Sequence, residues 1–167
     1  MAQLEAKIST TIRKSFIEQV GGWAEKVHQG ALSGAGLPDL WLGARGICAV
    51  VETKCKDEPP KRLSSTALHS SSGSPAVSRI QSIALQRGED AGFVAGVMLC
   101  YWAPRDLYWL PLSVTRQLGR RFDEGLTLQD VVTTSIKVPW LGKERWDMRA
   151  WFEHVTEGRH LMSSRVP

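Results

Sequence analysis

Asp39 follows a proline, and Glu52 and Lys54 close an apolar run thirteen and fifteen residues later. Two carboxylates and a lysine in that order can hold a divalent metal and activate a water beside a phosphodiester. Side chains on a strand alternate between faces, so Glu52 and Lys54 point the same way. Burying both in an apolar strand without partners is costly, which leaves a mutual ion pair or a metal as the economical explanation. Asp39 heads the preceding strand of a hairpin and can lie across from Glu52. Two neighbouring carboxylates raise each other's pKa unless a cation sits between them. A hard cation such as Mg2+ suits two carboxylates, waters and a phosphate oxygen, and the backbone carbonyl of Thr53 can add a further ligand. Such an ion polarises the scissile phosphate and makes water more acidic. Lys54 could orient that water, stabilise charge growing on phosphorus, or act as a base.

The elements that must position these groups are readable from periodicity. Ile8, Ile12, Phe16 and Val20 recur every four residues, so residues 3–20 read as an amphipathic helix ended by Gly21-Gly22. Glu5 projects from the same face, whereas Glu18 faces water. Trp23 to His28 reads as a short strand, Leu40 to Leu42 as another, Gly43 to Gly46 as a hairpin turn, and Ile47 to Lys54 as a central strand. Lys56 to Ser78 reads as a loop. Ser74-Pro75 looks like a helix start, with Val77, Ile80 and Ala84 facing inward and the helix ending near Asp90. Strands follow at Phe93–Trp102 and Leu107–Leu112. Short helices are expected at 113–119 and 126–132, and a terminal helix at 146–155. This order predicts an α/β fold with one central mixed β-sheet flanked by helices.

Bulk properties narrow the function classes. The 167 residues suffice for one domain with a core, and the 43% apolar and 23% charged content is ordinary for a globular protein. No apolar run approaches the ~20 residues that span a bilayer, and the N-terminus lacks the apolar centre of a signal peptide, so a cytoplasmic protein with no membrane partner is expected. Cys48, Cys55 and Cys100 form no Cys-x-x-Cys pair, which argues against a zinc site, and Cys48 and Cys100 read as core residues. Trp140, Trp146 and Trp151 read as packing residues rather than a base-stacking platform.

The net charge of +4 is unevenly spread. Residues 59–121 carry eight basic and three acidic side chains. The stretch from Pro59 to Gly88 holds Lys61, Arg62, Arg79 and Arg87 with no acid. A local basic segment suits a polyanion such as nucleic acid, and these four residues are candidate DNA contacts.

Pro38-Asp39 with Glu52-Thr53-Lys54 resembles the signature of the PD-(D/E)XK nucleases. The wider frame resembles their VRR-NUC branch, which is related to Holliday-junction resolvases and common in phages. Glu5, Gly21-Gly22, Lys26-Val27-His28 and Gly36-Leu37-Pro38-Asp39 match its acidic helix residue, Gly-Gly break, Lys-x-His and Gly-x-Pro-Asp loop. Gln81 and Ala91-Gly92 match the opening and close of its following helix. The likeness covers about residues 5–112.

The resemblance implies a restriction-endonuclease-like core, Mg2+ dependence with Mn2+ able to substitute, and DNA phosphodiester cleavage. It implies Glu5 as an outer acid of the metal site and Gln81 as a site residue, with Gln86 a nearby rival. Lys26 and His28 stand as either phosphate contacts or ordinary strand positions. The expected organisation is a core at 1–112 with a flexible loop at about 56–78, then a C-terminal helical extension at 113–167, which the likeness does not cover, packed on the same domain. The activity expected is structure-directed endonucleolytic cleavage of junction, flap or branched DNA, with a homodimer needed to cut both strands of a junction. The rivals are a catalytically silent nucleic-acid-binding module and a sequence-specific restriction-type enzyme.

Overall fold

Apolar positions four apart on one helix and unbroken apolar strands demand a sheet with helices laid over it. The structure, a computed structural model, describes residues 2–27, 37–56, 77, 79–115 and 128–163. It has the expected α/β fold, with a central mixed sheet flanked by helices.

Helix α1 (Ala2–Val20) buries Ile8, Ile12 and Phe16 completely. Full burial of each such side chain is worth ~1.5–3 kcal/mol, so this stripe fixes how the helix lies on the sheet. Gly21, in the left-handed region at φ 74°, ends it. Strands β1 (Trp23–Lys26), β2 (Leu40–Ala44) and β3 (Ile47–Lys56) follow. After helix α2 (Arg79–Asp90) come β4 (Val94–Tyr101) and β5 (Asp106–Pro111). After a short helical turn at 112–115, helix α3 (Leu128–Thr134), strands β6 (Ile136–Val138), β7 (Trp140–Gly142) and β8 (Arg145–Trp146), and helix α4 (Met148–Ser163) complete the described chain.

The six-stranded sheet runs in order from β1 to β6, and β7 pairs with β8 in a separate hairpin. All neighbours are antiparallel except β3 and β4, whose parallel pairing is connected through α2. Strand β3 is central and buried along most of its length. Its Ala49, Val51 and Cys55 join the larger core with α1 and α4, while Val50 joins the smaller core under α2. Alternation therefore turns Glu52 and Lys54 toward α2, at the C-terminal half of β3.

Several expectations need correction. Val77 lies in a bend, so α2 does not run continuously from Pro75; Ser74 and Pro75 lie outside the described residues. Ile80, expected inward, is 55% exposed, and Leu85 is fully buried instead. With the helix starting at Arg79, its inward stripe is Gln81, Leu85 and Gly88, at four- and three-residue steps. Gly88 lies so close to Val50 that a Cβ there would collide with its Cγ2. The C-terminal segment is not only helical, because β6 adds an edge to the central sheet and β7–β8 form a hairpin. Trp146 is a strand residue rather than the start of the last helix. Cys48 is only half-buried, whereas Cys55 joins Cys100 in the interior.

Trp146 and Trp151 are core residues, and Trp109 and Phe16 both pack edge-on against Trp151. Gln19 ties the C-terminal segment to α1. It donates from Nε2 to the carbonyl of Trp146 and accepts from the amide of Met148 at Oε1, both at 2.9 Å. No described helix is long and apolar enough to cross a membrane.

Candidate active site

The register that pairs Leu40 with Val51 sets Asp39 opposite Glu52 at the end of the β2–β3 ladder. Asp39 is fixed through its backbone as well, since its carbonyl accepts the amide of Val27 at 2.9 Å. Its side chain turns to the next residue of β3. Oδ2 accepts the Thr53 amide at 2.8 Å and the Thr53 hydroxyl at 2.6 Å. Neither bond uses Oδ1.

Glu52 is completely buried. Its Oε1 lies 2.7 Å from Lys54 Nζ and accepts from Gln81 Nε2 at 2.5 Å. Its Oε2 is buried with no hydrogen-bond partner among the described residues. A buried carboxylate oxygen without a donor is costly, so this atom has unused capacity for a cation. Burial raises the Glu52 pKa from 4.5 to about 7, helped by the negative charge of Asp39 and, more weakly, of Glu5. The ammonium of Lys54 opposes that rise without cancelling it. The carboxyl thus sits in a place that disfavours its charge, which a divalent ion would reverse.

Asp39, Glu52, Lys54 and Gln81 therefore come together at one end of β3 and the start of α2. Glu5 approaches β3 from the α1 side, where its Oε1 accepts the Cys55 amide at 3.4 Å. Among the described residues no group of three or more His, Cys, Asp or Glu side chains gathers as a metal cluster. Asp39 and Glu52 offer two carboxylates, a pair whose chemistry would suit a hard ion that keeps several waters and also takes a substrate oxygen.

Two hydroxyls escaped sequence reasoning. Ser9 and Thr53 are buried, and their oxygens lie 2.8 Å apart. Thr53 gives its one hydroxyl proton to Asp39, and Ser9 has one proton to share between the Thr53 oxygen and the carbonyl of Glu5, to which it donates at 2.9 Å. A line of contacts thus runs from α1 to the acid. The signal was present, because Ser9 interrupts the apolar stripe of α1 one turn after Glu5.

The candidate DNA contacts are dispersed. Lys26 is half-buried on β1, opposite Leu40. Arg87 is exposed and lines an apolar groove of about 520 Å3 with Trp41, Val50 and Ile83, on the same side of the sheet as Glu52. Arg79 opens α2. His28, Lys61 and Arg62 lie outside the described residues, as does most of the 56–78 loop. Gln86, the rival of Gln81, donates instead to Asp90 at 2.5 Å on the helix surface.

No family model matches the sequence, and no curated protein does. The structure is similar to that of Hjc, a Holliday junction resolvase from the archaeal hyperthermophile Archaeoglobus fulgidus, with 18% sequence identity and a TM-score of 0.47. The similarity covers 72% of this chain and 86% of that one.

Proposed function

We propose that the protein is a divalent-metal-dependent endodeoxyribonuclease of the PD-(D/E)XK type, in a VRR-NUC-like arrangement, acting on branched DNA. The observation that carries this reading is the buried, partnerless Oε2 of Glu52 opposite Asp39, with Lys54 on the same face. A structural ion pair alone leaves that oxygen unexplained, whereas a metal ligand needs it free.

Asp39 and Glu52 would hold Mg2+ or Mn2+, and the ion supplies a Lewis acid for the scissile phosphate and lowers the pKa of water. Thr53 aims Asp39 through its amide and hydroxyl, and its backbone carbonyl is a proposed further ligand. Gln81 fixes Glu52 from α2 and is a positioning residue in the ground state. Lys54 is 14% exposed, so its ammonium reaches both Glu52 and the open side of the site. There it can orient the attacking water or meet charge on the phosphorane. Glu5 contributes field from the α1 side. A base-reading element is not needed, since phosphate contacts position a duplex without reading it. Cutting both strands of a junction requires two such sites, hence a two-fold dimer.

Purified protein should cut a four-way junction or flap with Mg2+ and leave linear duplex of the same sequence largely intact. Equal cutting of every duplex at one short sequence would favour the restriction-type reading. Binding with no cutting under any divalent ion would favour the silent module and overturn the proposal.

A further inference from the structure

The face of α1 that turns from the sheet bears Lys7, Lys14 and Glu18 at seven- and four-residue steps, one continuous stripe. The β7–β8 hairpin closes over this stripe with Lys143, Glu144 and Arg145. Together they line a groove of about 580 Å3, in which four cations face two acids. Lys143 and Glu144 both adopt left-handed backbone conformations at the hairpin tip, which holds the tip in a tight turn over α1.

One of the two acids is already neutralised. Glu144 lies 2.9 Å from Lys7 Nζ, and that hydrogen bond, then the charges of Lys7, Arg105 and Lys14, lower its pKa. Lys7 is fixed further by Trp102, whose ring centroid lies 5.0 Å from Nζ. Lys14, Lys143 and Arg145 are exposed, and none forms an ion pair with another described residue. These three cations against the one remaining acid, Glu18, leave the groove net positive, a site for a polyanion.

The groove starts at the catalytic end of the sheet. Trp102, beneath Lys7, donates its amide to the carbonyl of Lys56 at 2.9 Å, two residues beyond Lys54. Lys7 and Lys14 lie about 10 Å apart along the helix axis. A duplex carries one charge per ~1.7 Å of axis, so that span meets more than one phosphate.

We infer that the groove between α1 and the β7–β8 hairpin binds the sugar-phosphate backbone of a DNA arm leaving the active site. The inference rests on the nuclease reading and gives the C-terminal segment a role. Contacts of this kind are independent of sequence, because lysine and arginine on phosphates read no base.

The test is equilibrium binding of a four-way junction by the full chain without divalent metal, across a salt series. The variant is Lys14→Ala with Lys143→Ala and Arg145→Ala. Each lost phosphate contact flattens the slope of log K against log salt by ~0.9, so a loss of about 2 to 3 is expected. A second variant with Lys14→Arg and Lys143→Arg should keep the wild-type slope, which separates lost charge from damaged folding. An unchanged slope and affinity in the alanine variant overturns the groove, whether the true occupant is an acidic protein or nothing. Cleavage by the wild type is followed in parallel. Cutting with an unchanged slope sinks only the groove, and a flattened slope without any cutting sinks only the nuclease reading.

Discussion

Gln81 Nε2 donates to Oε1 of Glu52 at 2.5 Å, the oxygen that Lys54 also contacts, and so Oε2 is left buried and bare. Both donors crowd one side of the carboxylate, and this fixes its rotamer and aims the other oxygen. A helix residue thereby sets the direction of a strand carboxylate.

That relationship distinguishes Gln81 from Gln86. Gln81→Ala should lower the single-turnover cleavage rate by about ten- to a hundredfold, the range seen when a residue orienting a metal ligand is lost. Gln86→Ala should stay within about twofold, because its partners are Glu89 and Asp90 on the outer face of α2. The measurement is cleavage of a labelled junction with enzyme in excess. A larger loss from Gln86→Ala would move the site residue along the helix.

Glu52 also makes metal-free stability depend on pH. Its pKa rises from 4.5 to about 7 on folding, so the folded chain keeps a proton that the unfolded chain releases between those values. Stability is then full below pH 4.5, falls as pH rises through 7, and levels off above. The drop is on the order of 3 kcal/mol, and Glu52→Gln should remove most of it. Denaturant titrations in chelator at several pH values check this. Indistinguishable pH profiles for wild type and Glu52→Gln would exclude Glu52 as the source.

The same proton competes with a cation. Mg2+ affinity, read by calorimetry, should weaken about tenfold for each pH unit below 7. Mg2+ should also raise the melting temperature of wild type but not of Glu52→Gln or Asp39→Asn. Both variants should cleave at least a hundredfold more slowly, because the remaining carboxylate alone holds the ion poorly. Chelation should stop wild-type cleavage and added Mn2+ should restore it.

Much of the fold was legible, for physical reasons that differ by element. Strand β3 was legible over Ile47–Lys54 because a central strand is apolar on both faces, and α1 because Ile8, Ile12 and Phe16 keep one period. The face of α2 was misread. A helix assumed to start at Pro75 puts Ile80 inward, but the start at Arg79 turns Gln81, Leu85 and Gly88 to the sheet. Strands β6, β7 and β8 have three, three and two residues, too few for alternation to emerge. Asp39, Glu52 and Lys54 were readable as a set because alternation and hairpin pairing act locally. The contact from Ser9 to Thr53 spans 44 positions and depends on how α1 docks, which no local pattern contains.

Thr53 is where that docking meets the chemistry, and it yields the sharpest structural test. Its hydroxyl donates to Asp39 at 2.6 Å and lies 2.8 Å from that of Ser9, with both side chains buried. Thr53→Val keeps the shape and the amide bond to Asp39 but removes the hydroxyl. A buried hydrogen bond to a charged acceptor contributes about 1.5–3 kcal/mol, so stability should drop by that order. Asp39 would keep one donor instead of two and gain freedom to turn. Cleavage and Mg2+ affinity should therefore both weaken, by about tenfold, while Thr53→Ser restores both. Losing stability without losing Mg2+ affinity would make the Ser9–Thr53–Asp39 line a folding contact alone. Losing both, with rescue by serine, means that α1 holds the first carboxylate in place across the sheet.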